Sequence, residues 1–205
     1  MQINIDKKTG ILSTIIVVLV GVIIAMGVST SNDNGFFGMG HSSMMDSDRA
    51  NGVGDLTGAD TMFLQMMIPH HQQAVDISNL ALTKSKDSEL LALATAIRDG
   101  QADEIVQMKK WLSDAGASLD MGHSMPGAMG GMLDEQEFAD LKNATGANFD
   151  RLWLAGMTGH HDGALHMVQM IEDADNPIIK NFGQDIVSLQ TAQINQMKEM
   201  LKRIG

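Results

Sequence analysis

Apolar positions in this chain recur at spacings of three and four residues, and the pattern occurs twice. Residues 60–74 and 150–164 share the motif Asp-x2-Phe/Trp-x3-Met-x2-His-His-x2-Ala at an offset of 90. Residues 97–112 and 186–201 share Ile-x3-Gln-x3-Ile-x2-Met-x3-Leu at an offset of 89. These spacings place each motif on one helical face. Each repeat therefore predicts a helix pair, and two pairs predict an all-α, four-helix bundle.

Turn and capping residues divide this pattern into helices. We predict four main helices near residues 60–83, 88–115, 149–174 and 177–204. Asp60 and Asp150 are candidate N-caps, and Asp134 with Glu137 forms a capping-box pattern that opens a short extra helix ending before Gly146. No segment alternates apolar and polar residues, so no sheet is predicted.

Pro69 and Gly159 stand at matching positions just before the two histidine pairs, and both residue types disfavour a helix interior. Pro69 would leave the carbonyl of Gln65 without its usual donor, which could kink the helix and open the site. The alternative is that a helix begins at this point, with Thr158 as its cap. The sequence does not decide between them.

The segment 11–28 is apolar and uncharged, and at roughly 1.5 Å per residue it is just long enough to cross a bilayer as a helix. Lys7 and Lys8 precede it, which predicts residues 1–10 in the cytoplasm and the rest of the chain outside. We expect an uncleaved transmembrane anchor; a cleaved signal segment, giving a secreted protein, is the alternative. Residues 29–58 then form a flexible linker, and residues 59–204 form the bundle with a Met/His/Gly-rich insert at 117–133.

Composition excludes several classes of function. The formal net charge of −11 repels nucleic acid and attracts cations. The chain contains no cysteine, which excludes disulfides, cysteine zinc sites and iron–sulfur clusters. No His-Glu-x-x-His motif, phosphate-binding glycine loop or Gly-x-Ser-x-Gly motif is present, so nothing in the sequence argues for an enzyme.

The paired histidines are the candidate metal site. A methionine stands three residues before each pair, so each repeat offers a thioether and imidazoles on one helical patch. The eighteen methionines are unusual, and thioether with imidazole suits copper, above all Cu(I). The candidate metal ligands are Met67, His70, His71, Met157, His160, His161, His166 and Met170.

Two less specific interpretations stay open for these residues. The histidines could be satisfied core residues of a structural or interaction module, since methionine at helical spacing is often core. A copper-dependent oxidoreductase is the other alternative. Gln101 and Gln190 interrupt an apolar face at matching positions; each could orient a ligating imidazole or lie at a wet edge of the bundle.

The doubled Met-x2-His-His-x2-Ala pattern, beginning at Met67 and Met157, resembles the domain of unknown function 305 family, which includes the CopM-type periplasmic copper-binding proteins. The resemblance covers about residues 58–204 and includes the segment 101–112, with its Gln, Glu-Ile, Met and Trp-Leu. It implies a ferritin-like bundle and copper binding by histidine and methionine. The second repeat departs from the family pattern in having Gln193 and Met200 where the first has Glu104 and Trp111.

We therefore expect an extracytoplasmic protein that sequesters or passes on Cu(I), with Ag(I) as an alternative ion. Metal ions are its expected ligands, the membrane holds its N-terminal helix, and a copper-delivery protein is a candidate partner. The Met-rich linkers would capture ions that the bundle then holds more tightly. The sequence leaves the stoichiometry and the oligomeric state open.

Overall fold

The computed structural model describes residues 53–122 and 130–204, and this part of the chain contains five α-helices and no strand. The all-α prediction is confirmed. The helices are α1 (Gly58–Lys84), α2 (Ser88–Asp114), α3 (Glu135–Asn143), α4 (Gly146–Val168) and α5 (Pro177–Ile204). A 3₁₀ turn, Gln169–Ile171, follows α4.

The two sequence repeats form two helix pairs that meet along α1 and α4. Helix α1 packs along α2, α4 packs along α5, and α1 contacts α4. The indole Nε1 of Trp153 donates to the carbonyl of Ile77 at 3.0 Å, and Nε2 of His160 lies 2.9 Å from the carbonyl of His70. Residue numbers thus rise along α1 as they fall along α4, so the two helices are antiparallel.

Helices α1 and α4 begin at other residues than the two predicted N-caps, Asp60 and Asp150. Thr57 is the N-cap of α1, and its hydroxyl accepts from the backbone N–H of Asp60 while the Asp60 carboxylate accepts from the N–H of Thr57. Asp60 is therefore the third helical residue of a capping box. Asp150 lies inside α4, whose N-cap is Thr145. Both predicted N-caps were wrong, because the repeated motif begins inside each helix, after the actual caps Thr57 and Thr145.

Other predicted boundaries agree with the structure. Asp134 and Glu137 form the expected capping box at the start of α3, with bonds of 2.8 and 2.9 Å. Pro177 is the first residue of α5. Helix α4 ends at Val168, earlier than predicted, because the chain tightens into the 3₁₀ turn before the loop that leads to Pro177.

Pro69 lies in the interior of α1, which continues unbroken to Lys84. Helix α4 likewise runs through Gly159, and the hydroxyl of Thr158 donates back to the carbonyl of Leu154 rather than capping a new helix. The alternative in which a helix begins at these positions is wrong. A kink at Pro69 stays a prediction.

The core consists of two apolar clusters, one on each side of the histidines. The Trp153 cluster includes Ala74, Ile77, Leu90, Leu154, Met157 and Met197. The Phe63 cluster includes Leu64, Met67, Met108, Ala164, Met167 and Ile186. Each histidine pair follows a residue of one cluster and precedes a residue of the other. The histidines therefore occupy the boundary between the clusters.

No helix in residues 53–122 and 130–204 has the length and apolar character needed to span a bilayer. The predicted anchor at 11–28 and the N-terminus at 1–10 lie outside the described residues, as does most of the predicted linker at 29–58. The described end of that linker is packed: Val53 is buried in the Phe63 cluster, and its carbonyl accepts from the side chain of Asn176.

We expect Trp153→Phe to lower the free energy of unfolding by about 2 kcal/mol, because it removes a buried hydrogen bond and leaves unfilled volume at the α1–α4 contact. Trp111→Phe is the matched control, since Trp111 is partly exposed. Urea denaturation of both variants measures the difference. Equal losses would contradict the assigned importance of the α1–α4 contact.

Candidate metal centre

The two histidine pairs meet where α1 and α4 pack together. His70, His71, His160 and His161 are each 0% exposed. The ring centroids of His70 and His160 lie 3.8 Å apart, with 40° between the ring planes. Within the pairs the centroid distances are 6.4 and 6.2 Å. The four imidazoles form one polar layer across the core, which we call the histidine layer.

Every Nε2 atom of the histidine layer lies within hydrogen-bond distance of an oxygen that can only accept. Each Nε2 therefore carries the proton and donates it, which leaves Nδ1 as the nitrogen with the lone pair. The accepting oxygens are the carbonyl of Gly130 (3.1 Å from His70), the carbonyl of His70 (2.9 Å from His160), the carboxylate of Glu104 (2.6 Å from His71) and the amide oxygen of Gln193 (2.7 Å from His161).

Burial lowers the pKa of three of these imidazoles, those of His70, His160 and His161, and favours their neutral form. Desolvation, aided by the nearby His71, lowers the pKa of His70 to about 3. Desolvation also lowers the pKa of His161 to about 4, against the raising effect of its bond to Gln193. The pKa of His160 lies well below its usual value for the same main reason, with a further contribution from His70. Neutral imidazole is the form that binds metals, so no proton has to leave before ligation.

The four Nδ1 atoms are buried and have no hydrogen-bond partner among the described residues. Buried polar atoms without partners are uncommon and costly, so four equivalent ones in a single layer point to a ligand. Metal-bound histidines characteristically donate their other ring N–H to a carboxylate or carbonyl, which is the arrangement found here. The residues of the histidine layer therefore fit a metal ion.

The imidazoles do not by themselves form a closed site. Within the described residues, no three histidine, aspartate or glutamate side chains are grouped closely enough to hold one metal ion. A metal site here would therefore have fewer than three imidazole ligands, and another type of ligand would have to complete it. Thioether sulfur is such a donor, and it favours Cu(I), an ion that accepts low coordination numbers.

Met67 and Met157 are the nearest such donors along the chain. Both are 0% exposed, Met67 in the Phe63 cluster and Met157 in the Trp153 cluster. Each stands three residues before a histidine pair, on the same helical face. Each of these methionines is thus buried in an apolar cluster that borders the histidine layer.

His166 and Met170 are not part of the histidine layer. His166 is exposed, and its Nδ1 donates to the carbonyl of Asp162 at 2.9 Å. Met170 lies in the 3₁₀ turn, half-buried against the Phe63 cluster. The structure brings the four predicted histidines together and leaves His166 and Met170 outside the layer. Ligation by Met67 and Met157 stays a prediction.

Glu104 and Gln193 are functional candidates that the sequence analysis did not select. They hold equivalent positions in the second motif, three residues after Gln101 and Gln190, and that equivalence was the available signal. The contact to imidazole that was one of the two alternatives for Gln101 is made by Glu104 instead. Gln101 is nevertheless buried, at 4% exposed, so a wet edge of the bundle is the wrong description.

The end of the insert closes over His70. Gly131 has φ +79°, and a Cβ there would collide with the carbonyl of Gly159. A Cβ on Gly163 would likewise collide with the carbonyl of Gly130. Gln73 holds the next turn by accepting from the N–H of Leu133 at 2.8 Å and donating to its carbonyl at 2.9 Å. The backbone of Gly130 and Gly131 therefore packs directly on α4, and the carbonyl of Gly130 reaches the imidazole of His70.

Residues 60–201 match the family described as domain of unknown function (DUF305). This chain belongs to the DUF305 family. The match spans both repeats and therefore all four histidines of the layer. A comparison with curated proteins finds no match.

Solved DUF305 structures share the fold. A DUF305 protein from Streptomyces coelicolor is 29% identical, with a TM-score of 0.68 over 72% of this chain and 92% of its own. A DUF305 fragment from Deinococcus radiodurans is 31% identical, with a TM-score of 0.68 over 73% and 99%. CopM in its Cu(I)-bound form is 30% identical, with a TM-score of 0.59 over 70% and 96%.

The depressed pKa values of His70 and His161 predict that the stability of the protein is sensitive to acid. In the unfolded chain they titrate near pH 6.5, whereas His70 and His161 stay neutral in the fold until about pH 3 and 4. The unfolded state therefore binds more protons in this window, and the free energy of unfolding falls as the pH falls. Between pH 7 and 5 the loss should be about 2 kcal/mol per histidine. Urea denaturation at each pH measures this loss, and a free energy of unfolding that stays constant between pH 7 and 5 would contradict the prediction.

Substitutions at two helical glycines test how the insert packs. Gly163→Ala should displace the Gly130–Gly131 segment, whereas Gly159→Ala meets nothing within 4 Å and gains helix propensity. Hydrogen exchange should rise around residues 130–133 in the first variant only. Unchanged exchange in Gly163→Ala would contradict the close packing of the insert on α4.

Proposed function

We propose that this protein binds copper as Cu(I) at the histidine layer and sequesters it or passes it on outside the cytoplasm. The observation that carries the proposal is the set of four buried Nδ1 lone pairs without partners, on rings whose Nε2 atoms all donate. Such rings are oriented and deprotonated in the way metal ligands must be.

The imidazole and thioether ligands of the proposed site favour copper over Mg²⁺ and Ca²⁺. Imidazole and thioether are softer ligands than the oxygen donors that Mg²⁺ and Ca²⁺ prefer. Met67 and Met157 supply the thioethers, one beside each histidine pair. CopM has been solved with Cu(I), Cu(II) and silver bound, at about 30% identity to this chain, which supports copper with silver as its mimic.

An extracytoplasmic location is part of the same proposal. The Streptomyces coelicolor neighbour is described as a secreted protein. The predicted anchor at 11–28 would hold the bundle at the outer face of a membrane. A copper-delivery protein would exchange the ion there, and the acidic net charge of −11 would concentrate cations near the site.

The insert would serve as the first point of capture. Its Met-rich sequence, residues 121–132, offers thioethers to arriving ions, and its end at Gly130 contacts His70. The helices are already ordered when an ion arrives, so the histidine layer loses no further chain entropy on binding. The histidine layer would therefore hold the ion more tightly than the insert.

Substitution of the central histidines should remove tight Cu(I) binding. We expect His70→Ala with His160→Ala to lower Cu(I) affinity by at least 100-fold, and Met67→Leu with Met157→Leu to lower it without altering core volume. Anaerobic Cu(I) titration against a competing chelator gives affinity and stoichiometry together. His166→Ala is the control and should bind as the wild type does. Full affinity in the double histidine variant would refute the proposed site.

Insert methionines should affect stoichiometry rather than the tightest site. Met125→Leu with Met129→Leu keeps Gly130 and Gly131, so the contact with His70 persists. We expect fewer Cu(I) ions per chain and slower capture, with the highest affinity retained. The same titration combined with stopped-flow capture measures both. Loss of the tightest site in this variant would make the insert the principal binding element.

A further inference from the structure

The two repeats present chemically different partners to otherwise equivalent histidines. His71 donates Nε2–H to the carboxylate of Glu104 at 2.6 Å, and His161 donates the same proton to the amide oxygen of Gln193 at 2.7 Å. Glu104 and Gln193 lie 89 residues apart, at the same position of the repeated motif. The two contacts match in atom, length and position, and they differ by one negative charge.

Nothing else in the immediate surroundings cancels that charge. Glu104 and Gln193 line one narrow cleft between α2 and α5, which has room for about one water molecule. Its other lining side chains are apolar or neutral, including Gln101 and Gln190. Within the described residues, Glu104 bonds to the His71 imidazole, and no Lys or Arg forms an ion pair with it. The carboxylate therefore acts chiefly on the imidazole.

A carboxylate behind a ligating imidazole makes the ring a stronger donor and stabilises positive charge on the metal. The effect is large here because His71 is 0% exposed and the Glu104 side chain only 23% exposed, so water screens the charge poorly. Cu(II) carries one more positive charge than Cu(I) and gains more from the carboxylate. The neutral amide of Gln193 orients its imidazole without this preference.

We infer that Glu104 is a positioning residue that biases the His71 side of the histidine layer toward Cu(II), whereas Gln193 leaves the His161 side selective for Cu(I). This inference rests on the proposed copper binding and adds a division of labour between the two repeats. The half of the layer next to Glu104 tolerates the oxidised ion. The half next to Gln193 retains the reduced ion.

The repeats supply the variants that test it. Glu104→Gln places at the first position the residue that already accepts the imidazole bond at the second, so the fold and the bond should survive while the charge is lost. Gln193→Glu makes the opposite change. Asp103→Asn is the matched control, because it removes the same charge from an exposed neighbouring position.

Separate titrations with Cu(II) and, anaerobically, Cu(I) measure the affinity ratio, and redox titration of the copper-loaded chain measures the midpoint potential. Glu104→Gln should lower Cu(II) affinity by about 10-fold or more while changing Cu(I) affinity less. Each tenfold change in the ratio raises the potential by about 59 mV. Gln193→Glu should shift both quantities in the opposite direction, and Asp103→Asn should leave them near the wild-type values.

Long-range ¹H–¹⁵N spectra of the metal-free protein supply a readout that does not require copper. The His71 ring should keep its proton on Nε2 in Glu104→Gln. An unchanged affinity ratio in both Glu104→Gln and Gln193→Glu would overturn this inference alone, as would an equal shift in Asp103→Asn. Absence of copper binding by the wild-type chain would overturn the proposed function and this inference together.

Discussion

The burial of four imidazoles in one layer is the constraint on which the rest of this structure depends. An imidazole that leaves water loses hydrogen bonds at both nitrogens, and the fold replaces only one of them on each ring. The Nε2 protons find acceptors on the opposing helix, on the neighbouring helices and on the insert. These bonds fix how α1, α4 and the end of the insert approach one another, and they leave Nδ1 on every ring for a ligand.

The glycines around the layer follow from the same constraint. A backbone carbonyl can reach His70 only if the insert lies directly on α4, and that approach leaves no space for a Cβ at Gly131 or Gly163. The apolar clusters on either side keep water out, which depresses the pKa values of His70, His160 and His161 and favours their neutral, metal-binding form. Packing and ligand chemistry therefore reinforce each other at this point of the fold.

The two repeats are related in structure without being chemically identical. Both histidine pairs are buried to the same extent, yet one is held by a carboxylate and the other by an amide. His70 donates to the insert, whereas His160 donates to α1. A duplicated scaffold thus gives four similar imidazoles three kinds of hydrogen-bond partner, and such differences can separate the roles of the sites.

Sequence periodicity alone determined the helical class and the duplication, because spacings of three and four fix which side chains share a helical face. The same periodicity selected the four histidines that the structure brings into one layer. The N-caps at Asp60 and Asp150 were misplaced because the repeated motif begins inside each helix, after the actual caps Thr57 and Thr145. His166 looked like a ligand by its spacing, yet it faces solvent. Only the tertiary structure decided that Glu104, Gln193 and Gly130 hold the imidazoles and that the two pairs meet in one layer. Those contacts join residues 32 to 90 positions apart, and no local pattern encodes which distant side chains will meet.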